Sequence, residues 1–143
     1  MQTETDRKPI SYEDITKYTI NVENDRYGHV NYKTYLELFE PALNTYLLDR
    51  GLTLDDLEQK YGLKSIILTY TVTVHSESFK GDKIIIETKI NKIGNTSFTL
   101  VQSMKREKLL IADLTMVIVL TNKEGKPTSI PENIKSRFQN PKF

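Results

Sequence analysis

A chain of 143 residues carrying 20 Lys and Arg against 19 Asp and Glu, a net charge of +1, has room for a single core, and its balance gives no electrostatic reason to expect a nucleic-acid or anionic-membrane partner. Without Cys there are no disulfides or thiolate metal sites, and with only two histidines, His29 and His75, a zinc site would rest almost wholly on carboxylates, so no metal is expected. Residues 1–9 are polar with no apolar signal-peptide core, and no apolar run is long enough to span a bilayer; the expectation is a soluble cytoplasmic protein, disordered over 1–9.

Residues 18–22, Tyr-Thr-Ile-Asn-Val, are β-branched and aromatic and predict a first strand leading into a polar loop. From Tyr32 the pattern turns helical. Tyr32, Tyr35, Leu36, Phe39, Ala42, Leu43, Tyr46 and Leu47 recur at three-to-four spacing and predict one apolar stripe that a sheet must cover. Asn31 suits the N-cap, since its short amide can accept from an unpaired N–H of the first turn, while Arg50 and Gly51 suit the other end. Pro41 removes one internal bond and predicts a kink within a single helix. Thr53, with Asp56 as its box partner and Gly62 as stop, predicts a short second helix.

From Ile66 the period is two. Ile66, Leu68, Tyr70, Val72 and Val74 alternate with Ile67, Thr69, Thr71, Thr73 and His75 and predict a long strand. Lys80-Gly81-Asp82-Lys83 is turn chemistry, residues 84–90 alternate as a further strand, and Gly94-Asn95 turns the chain again. Phe98, Leu100 and Met104 mark the next strand, Lys105 to Lys108 a charged turn, and residues 109–121 a strand apolar on both faces, which predicts a central place in the sheet. Pro131 opens a short helix to Phe138. One long helix followed by successive antiparallel strands gives an α+β domain with the helix on one face of the sheet.

The string Asp25-x-x-Gly28-His29-Val30-Asn31, followed by Tyr35 and Glu40, is similar to the signature of hot-dog-fold acyl-CoA thioesterases of the 4-hydroxybenzoyl-CoA thioesterase type. Gly81-Asp82, Gly94-x-x-Ser97, the apolar strand ending at Leu120, and Gly125-Lys126-Pro127 before Ile130-Pro131 follow in that family's order and spacing, so the likeness runs over roughly residues 18–134. The resemblance implies a single hot-dog domain over 1–143, a long central helix wrapped by an antiparallel sheet. It also implies the strand order, and homodimers or homotetramers whose sheets continue across the subunit boundary with the active site between subunits. The implied reaction is hydrolysis of an acyl-CoA or acyl-carrier-protein thioester to a free acid and a thiol, with coenzyme A arriving as part of the substrate and no separate cofactor.

In that reading Asp25 matches the nucleophile or general base, and a backbone N–H at or beside Tyr32 holds the oxyanion at the helix start. Taken as a bare residue, Asp25 reads as a turn aspartate capping nearby N–H groups, and only the resemblance reverses that preference. Gly28 lets the loop turn tightly and leaves room for the acyl carbonyl. His29 is either a solvated imidazole or an orienting partner of Asp25, and Asn31 either the helix cap or a group facing substrate. Tyr35, with Tyr27 and Tyr32, lines an acyl pocket or belongs to an aromatic core. Glu40 belongs to the family pattern as a supporting group, though a carboxylate on a polar helix face needs no such role. Asn95, Thr96 and Ser97 match the stretch that meets coenzyme A in relatives, and equally make an ordinary polar turn. Lys105, Arg106 and Lys108 either meet nucleotide phosphates or form a solvated turn.

Two positions depart from the family pattern: Tyr32 stands where a second asparagine is common, which changes the wall of the site and bears on acyl specificity, and no proline precedes the Gly-Asp turn around Glu77-Ser78. No Gly-x-Ser-x-Gly elbow, phosphate-cradling glycine loop or dinucleotide fingerprint is present. The competing reading is a hot-dog module that binds acyl-CoA without hydrolysing it, in a sensing or regulatory role; Asp25 favours the enzyme.

Overall fold

The computed structural model describes residues 16–22 and 32–139. Eight elements follow in order: β1 (Thr16–Asn21), α1 (Tyr32–Asp49), α2 (Leu54–Tyr61), β2 (Lys64–Val74), β3 (Lys83–Ile93), β4 (Ser97–Arg106), β5 (Leu109–Thr121) and α3 (Glu132–Gln139). The five strands form one antiparallel sheet in the order β1-β3-β4-β5-β2. This is the hot-dog arrangement.

The alternation in the strands decides which face α1 covers. Ile84, Ile86 and Ile90 on β3, Leu100 and Met104 on β4, and Leu114 and Ile118 on β5 are buried on one face, while their odd-numbered neighbours on β3 and β4 are exposed or half-buried. Burying each such side chain contributes roughly 1.5–3 kcal/mol before the entropy of ordering is set against it. Helix α1 runs unbroken through Pro41. Its buried stripe is Tyr35, Leu38, Phe39, Ala42 and Tyr46. Leu36, placed on the stripe by spacing, is 36% exposed, and Leu38 takes its place at 6%. Two apolar residues a short arc apart leave the stripe's rotation open, and packing against the sheet selects one.

A polar bridge fixes α1 over the sheet centre. The buried Gln102 amide donates to the Phe39 carbonyl (3.2 Å) and to the Thr88 hydroxyl (3.0 Å). At the far end of the helix, the Gly51 N–H reaches the Leu48 carbonyl, and Gly51 holds φ +67°, a left-handed conformation that suits glycine. The buried Arg50 guanidinium lies 3.6 Å from the Tyr46 ring centroid and donates to the Tyr46 carbonyl (3.1 Å) and the Thr16 hydroxyl (2.9 Å). Helix α3 closes this end. Arg137 donates to the Arg50 carbonyl (3.2 Å), and the Phe138 ring lies 6.5 Å from Tyr46 and 4.7 Å from Phe98.

Local signals hold well: Thr53 and Asp56 form the reciprocal capping box, and Gly62 ends α2 in the left-handed region. Two expectations are corrected. Lys105 and Arg106 belong to β4, and the turn is only Glu107-Lys108, with Glu107 at φ +56°. Strand β4 is the middle of the sheet, and β5, apolar on both faces, is one place from the edge with β2 beyond it.

Candidate active site at the start of the long helix

The contacts along α1 fix its direction. Phe39 lies over the middle of β4 through Gln102, and Tyr46 meets Phe138, which touches Phe98 beside the β3–β4 turn. The opposite end of α1 therefore lies toward the β4–β5 turn. There the buried Tyr35 faces Glu77 and Ser78, in the loop joining β2 to β3. Burial raises the Tyr35 phenol above its ordinary value, with the Glu77 carboxylate adding to the rise and the Ser78 N–H opposing it. The first turn of α1 contains no acidic residue, so no carboxylate there offsets the positive end of the helix dipole.

The same loop is gathered around Asp82. Its Oδ2 accepts from the Ser78 hydroxyl (3.0 Å), the Phe79 N–H (2.8 Å) and the Arg106 guanidinium (2.7 Å). Burial pushes this carboxyl up, but the Phe79 N–H, Arg106 and Ser78 together outweigh it and hold the group below the usual aspartate range. The backbone of the loop also holds the end of β1: Gly81 N–H donates to the Val22 carbonyl (2.7 Å), and Val22 N–H to the Asp82 carbonyl (2.9 Å).

Of the residues the sequence singles out, Asp25, Gly28, His29 and Asn31 lie outside the described residues, as does Tyr27. Tyr32 is the first residue of α1, and the described part of it is its backbone. Tyr35 is buried and belongs to the core. Glu40 is exposed on the helix. Asn95, Thr96 and Ser97 lie at the other end of the sheet, about 27 Å away by the length of an 18-residue helix. Their backbone is structural: the Asn95 carbonyl accepts from Ile130 N–H (2.8 Å), the Thr96 carbonyl from Leu120 N–H (2.9 Å), and the Ser97 carbonyl from Gly94 N–H (2.7 Å). Within one protomer the helix start and the 95–97 turn are thus kept apart.

Lys105 and Arg106 are already engaged, Lys105 with Glu87 (3.1 Å) and Arg106 with Asp82 (2.7 Å), so phosphate binding by either would break an ion pair. The sequence carries no signal for the Asp82-centred cluster, since Gly81-Asp82 reads there as turn chemistry and as one element of the family likeness. His75, given no role, pairs with Asp113 at 2.7 Å on the exposed end of β2. Among the described residues no three His, Asp or Glu side chains gather as a metal site, and no helix is long and apolar enough to cross a membrane. An apolar cavity of ≈ 20 Å³ between Leu47, Leu57, Phe98, Ile118 and Phe138 lies at the closed end of α1 and holds about one water, far less than an acyl chain.

Strand β2 presents an exposed apolar surface. It is an edge strand, and Ile66, Ile67, Leu68, Tyr70 and Val74 on it are 45–58% exposed. Edge strands left free are ordinarily blunted by charge or proline. Here the register shift between Ile67 and Thr69 interrupts the strand once, and from Thr69 to Val74 it pairs regularly with β5.

The family model described as the thioesterase-like superfamily matches residues 21–138. Solved structures share the fold at low identity. A probable thioesterase from Bartonella henselae is 22% identical, with 82% of this chain and 99% of that one covered and a TM-score of 0.73. A 1,4-dihydroxy-2-naphthoyl-CoA thioesterase from Synechocystis is 15% identical, covering 88% and 96%, with a TM-score of 0.79. A Staphylococcus aureus protein solved in complex with CoA is 19% identical, covering 86% and 80%, with a TM-score of 0.77. No curated protein is similar in sequence at a significant level.

Proposed function

This chain belongs to the thioesterase-like superfamily, and from that premise we propose that it hydrolyses acyl-coenzyme A thioesters, with Asp25 as the acting carboxylate and the start of α1 as the oxyanion site. The family match across residues 21–138 is the observation that carries this reading. In the reaction a water oxygen, or Asp25 itself, attacks the thioester carbonyl; the C–S bond breaks, and coenzyme A leaves as a thiolate that takes up a proton. If Asp25 is the base, it accepts the proton that water loses. If it is the nucleophile, an acyl anhydride forms and water then releases the acid. A thioester is already activated, so charge stabilisation by N–H groups at a helix start supplies much of what remains.

The working unit in this proposal is a homodimer paired through β2. Rotating a second copy by 180° about an axis normal to the sheet exchanges its two ends. The partner's 95–97 turn then stands at the end where α1 begins, which suits a long substrate with its acyl group at the helix start and its nucleotide toward the other subunit. Exposed apolar side chains along β2 and the apolar composition of β5 support the pairing. With no cysteine to protect or oxidise, the chain fits a reducing compartment such as the cytoplasm.

A thiol-release screen over short, long, branched, aromatic and charged acyl-CoAs tests the reaction, and Asp25→Asn tests the residue. Turnover on the best substrate is expected to fall on the order of 10²-fold or more while melting temperature and affinity for a non-hydrolysable analogue hold. Near-normal turnover in Asp25→Asn removes it from the mechanism. Analogue binding without thiol release from any acyl-CoA identifies a binding module instead.

A further inference from the structure

Strand β2 carries one charged residue, Lys64 at its first position, and His75 follows directly after its last. Every residue between them is uncharged. The pairing with β5 sets Lys64 opposite Thr121 and Thr73 opposite Asp113. On β5 the even-numbered Leu114, Met116 and Ile118 are buried on the face that α1 covers, so Lys64, Thr73 and Asp113 share the face turned away from the helix. His75 stands on that face too, its Nε2 2.7 Å from Asp113 Oδ2, with the two side chains 40% and 41% exposed. Lys64 is exposed and has no ion-pair partner among the described residues. The other charges around His75 are engaged elsewhere or stand apart. Lys105 pairs with Glu87 (3.1 Å) and Arg106 with Asp82 (2.7 Å), while Glu77 is exposed in the loop after His75, its carbonyl meeting Arg106 at 3.4 Å.

We propose that Asp113 is the counter-charge for Lys64 of the partner subunit, in an ionic contact that fixes the register of β2 against β2 and that His75 makes sensitive to pH. The inference rests on the pairing through β2 proposed above and not on the thioester chemistry. A rotation by 180° about an axis normal to the sheet keeps each face on its own side and brings the start of one β2 to the end of the other. Residues directly opposite in an antiparallel pair share a face, so the register can move only in steps of two. Two registers give the fullest overlap, with Thr69 or Tyr70 at the axis. Counting the interruption between Ile67 and Thr69 as one place, Thr69 at the axis sets Lys64 opposite Thr73 of the partner subunit, with Asp113 of the partner subunit next in the same row. Two strand spacings, about 10 Å between backbones, are then spanned by one long and one short side chain over a small threonine. Rotation makes the contact twice. Neutral His75 donates an N–H to Asp113 and leaves the carboxylate its charge; protonated His75 cancels that charge and repels the incoming lysine. Association is therefore tightest with His75 neutral and weakens as acid protonates it.

Lys64→Glu and Asp113→Lys, each in the full-length chain, are to be compared with wild type by sedimentation across a concentration series. Each variant alone puts like charges together at both contacts and should raise the dimer dissociation constant by roughly 10-fold or more, two exposed pairs being lost and reversed. Mixed in equal amounts, the two should form a heterodimer close to wild type in affinity, because each contact then joins opposite charges. Within one chain the two positions lie about 30 Å apart by the run of β2 from Lys64 to Thr73, so restoration reports a contact between copies. Wild type should also dissociate roughly 3–10-fold more readily at about pH 5.5 than at about pH 8, and His75→Gln should abolish that difference. A dimer whose affinity neither variant changes, a mixture that is not restored, or a pH response that survives in His75→Gln overturns the proposal and leaves the β2 pairing standing. A monomeric wild type overturns both. If a variant does not fold, carbodiimide coupling of wild-type dimers decides in its place: a Lys64–Asp113 cross-link found by mass spectrometry supports the contact, and its absence overturns it.

Discussion

The Gln102 side-chain amide, on the middle strand of the sheet, donates to the carbonyl of Phe39, halfway along α1 and 63 residues away in sequence, while also bonding Thr88. All three residues are buried. Gln102→Leu keeps much of the volume and removes both bonds, leaving a buried hydroxyl short of a donor, so unfolding free energy should drop by about 1–3 kcal/mol in urea titration. A change within experimental error would mean that packing alone sets the height of the helix over the sheet.

Gly51 and Gly125 both hold left-handed backbone, at φ +67° and +82°, but a Cβ at Gly51 would stand 2.6 Å from Arg137 Nη1 whereas one at Gly125 meets nothing within 4 Å. Alanine at either should cost about 1–2 kcal/mol from backbone conformation. Gly51→Ala should cost about 1 kcal/mol more, because Arg137 must leave the Arg50 carbonyl. That excess should vanish in an Arg137→Ala background, which a double-mutant cycle of melting curves will read.

Tyr70 is 56% exposed on the regular half of β2. Replacing it with Lys puts a charge where a second copy would pair, so light scattering at micromolar concentration should show the dimer shifting to monomer, and thiol release should fall with it. A dimer unchanged by Tyr70→Lys would place the subunit contact elsewhere.

Acid stability follows from Asp82. An aspartate titrates near 3.8 when unfolded, and this one is held lower in the fold, so its contribution is full above 3.8 and is lost as the pH falls through the folded value. Denaturation midpoints should therefore decline with acid below about pH 4 more steeply in wild type than in Asp82→Asn, the two curves converging at the acid end. Parallel curves would show that the three donors on Oδ2 do not distinguish the charged form.

What the sequence disclosed was mostly local. Thr53, Asp56 and Gly62 announce α2 because a cap and its partner stand within one turn of each other, and Tyr35, Phe39, Ala42 and Tyr46 announce the buried stripe because a helix brings such spacings to one side. The choice of Leu38 over Leu36 was hidden, since only the sheet beneath decides the rotation. Lys105 and Arg106 read as a turn because charged residues cluster there; their partners Glu87 and Asp82 lie 18 and 24 residues away, and no short window contains both. The motif around Asp25 was visible as a string, and its residues 25–31 lie outside those described. That the 95–97 turn sits at the opposite end from the start of α1 depends on helix direction and strand order together, neither of which a turn sequence records.

The junction of Arg50 with Arg137 also bears on the order in which the molecule is finished during synthesis. The Arg50 carbonyl and the Tyr46 ring belong to a helix made early, yet Arg137 bonds that carbonyl from 87 residues further along, and Phe138 packs against Tyr46 and Phe98 from the same late helix. Contacts of such separation form late and expose apolar surface while they wait. A nascent chain that has made α1 and even the whole sheet still carries an open end, and this end seals only when residues 132–139 have been translated and docked.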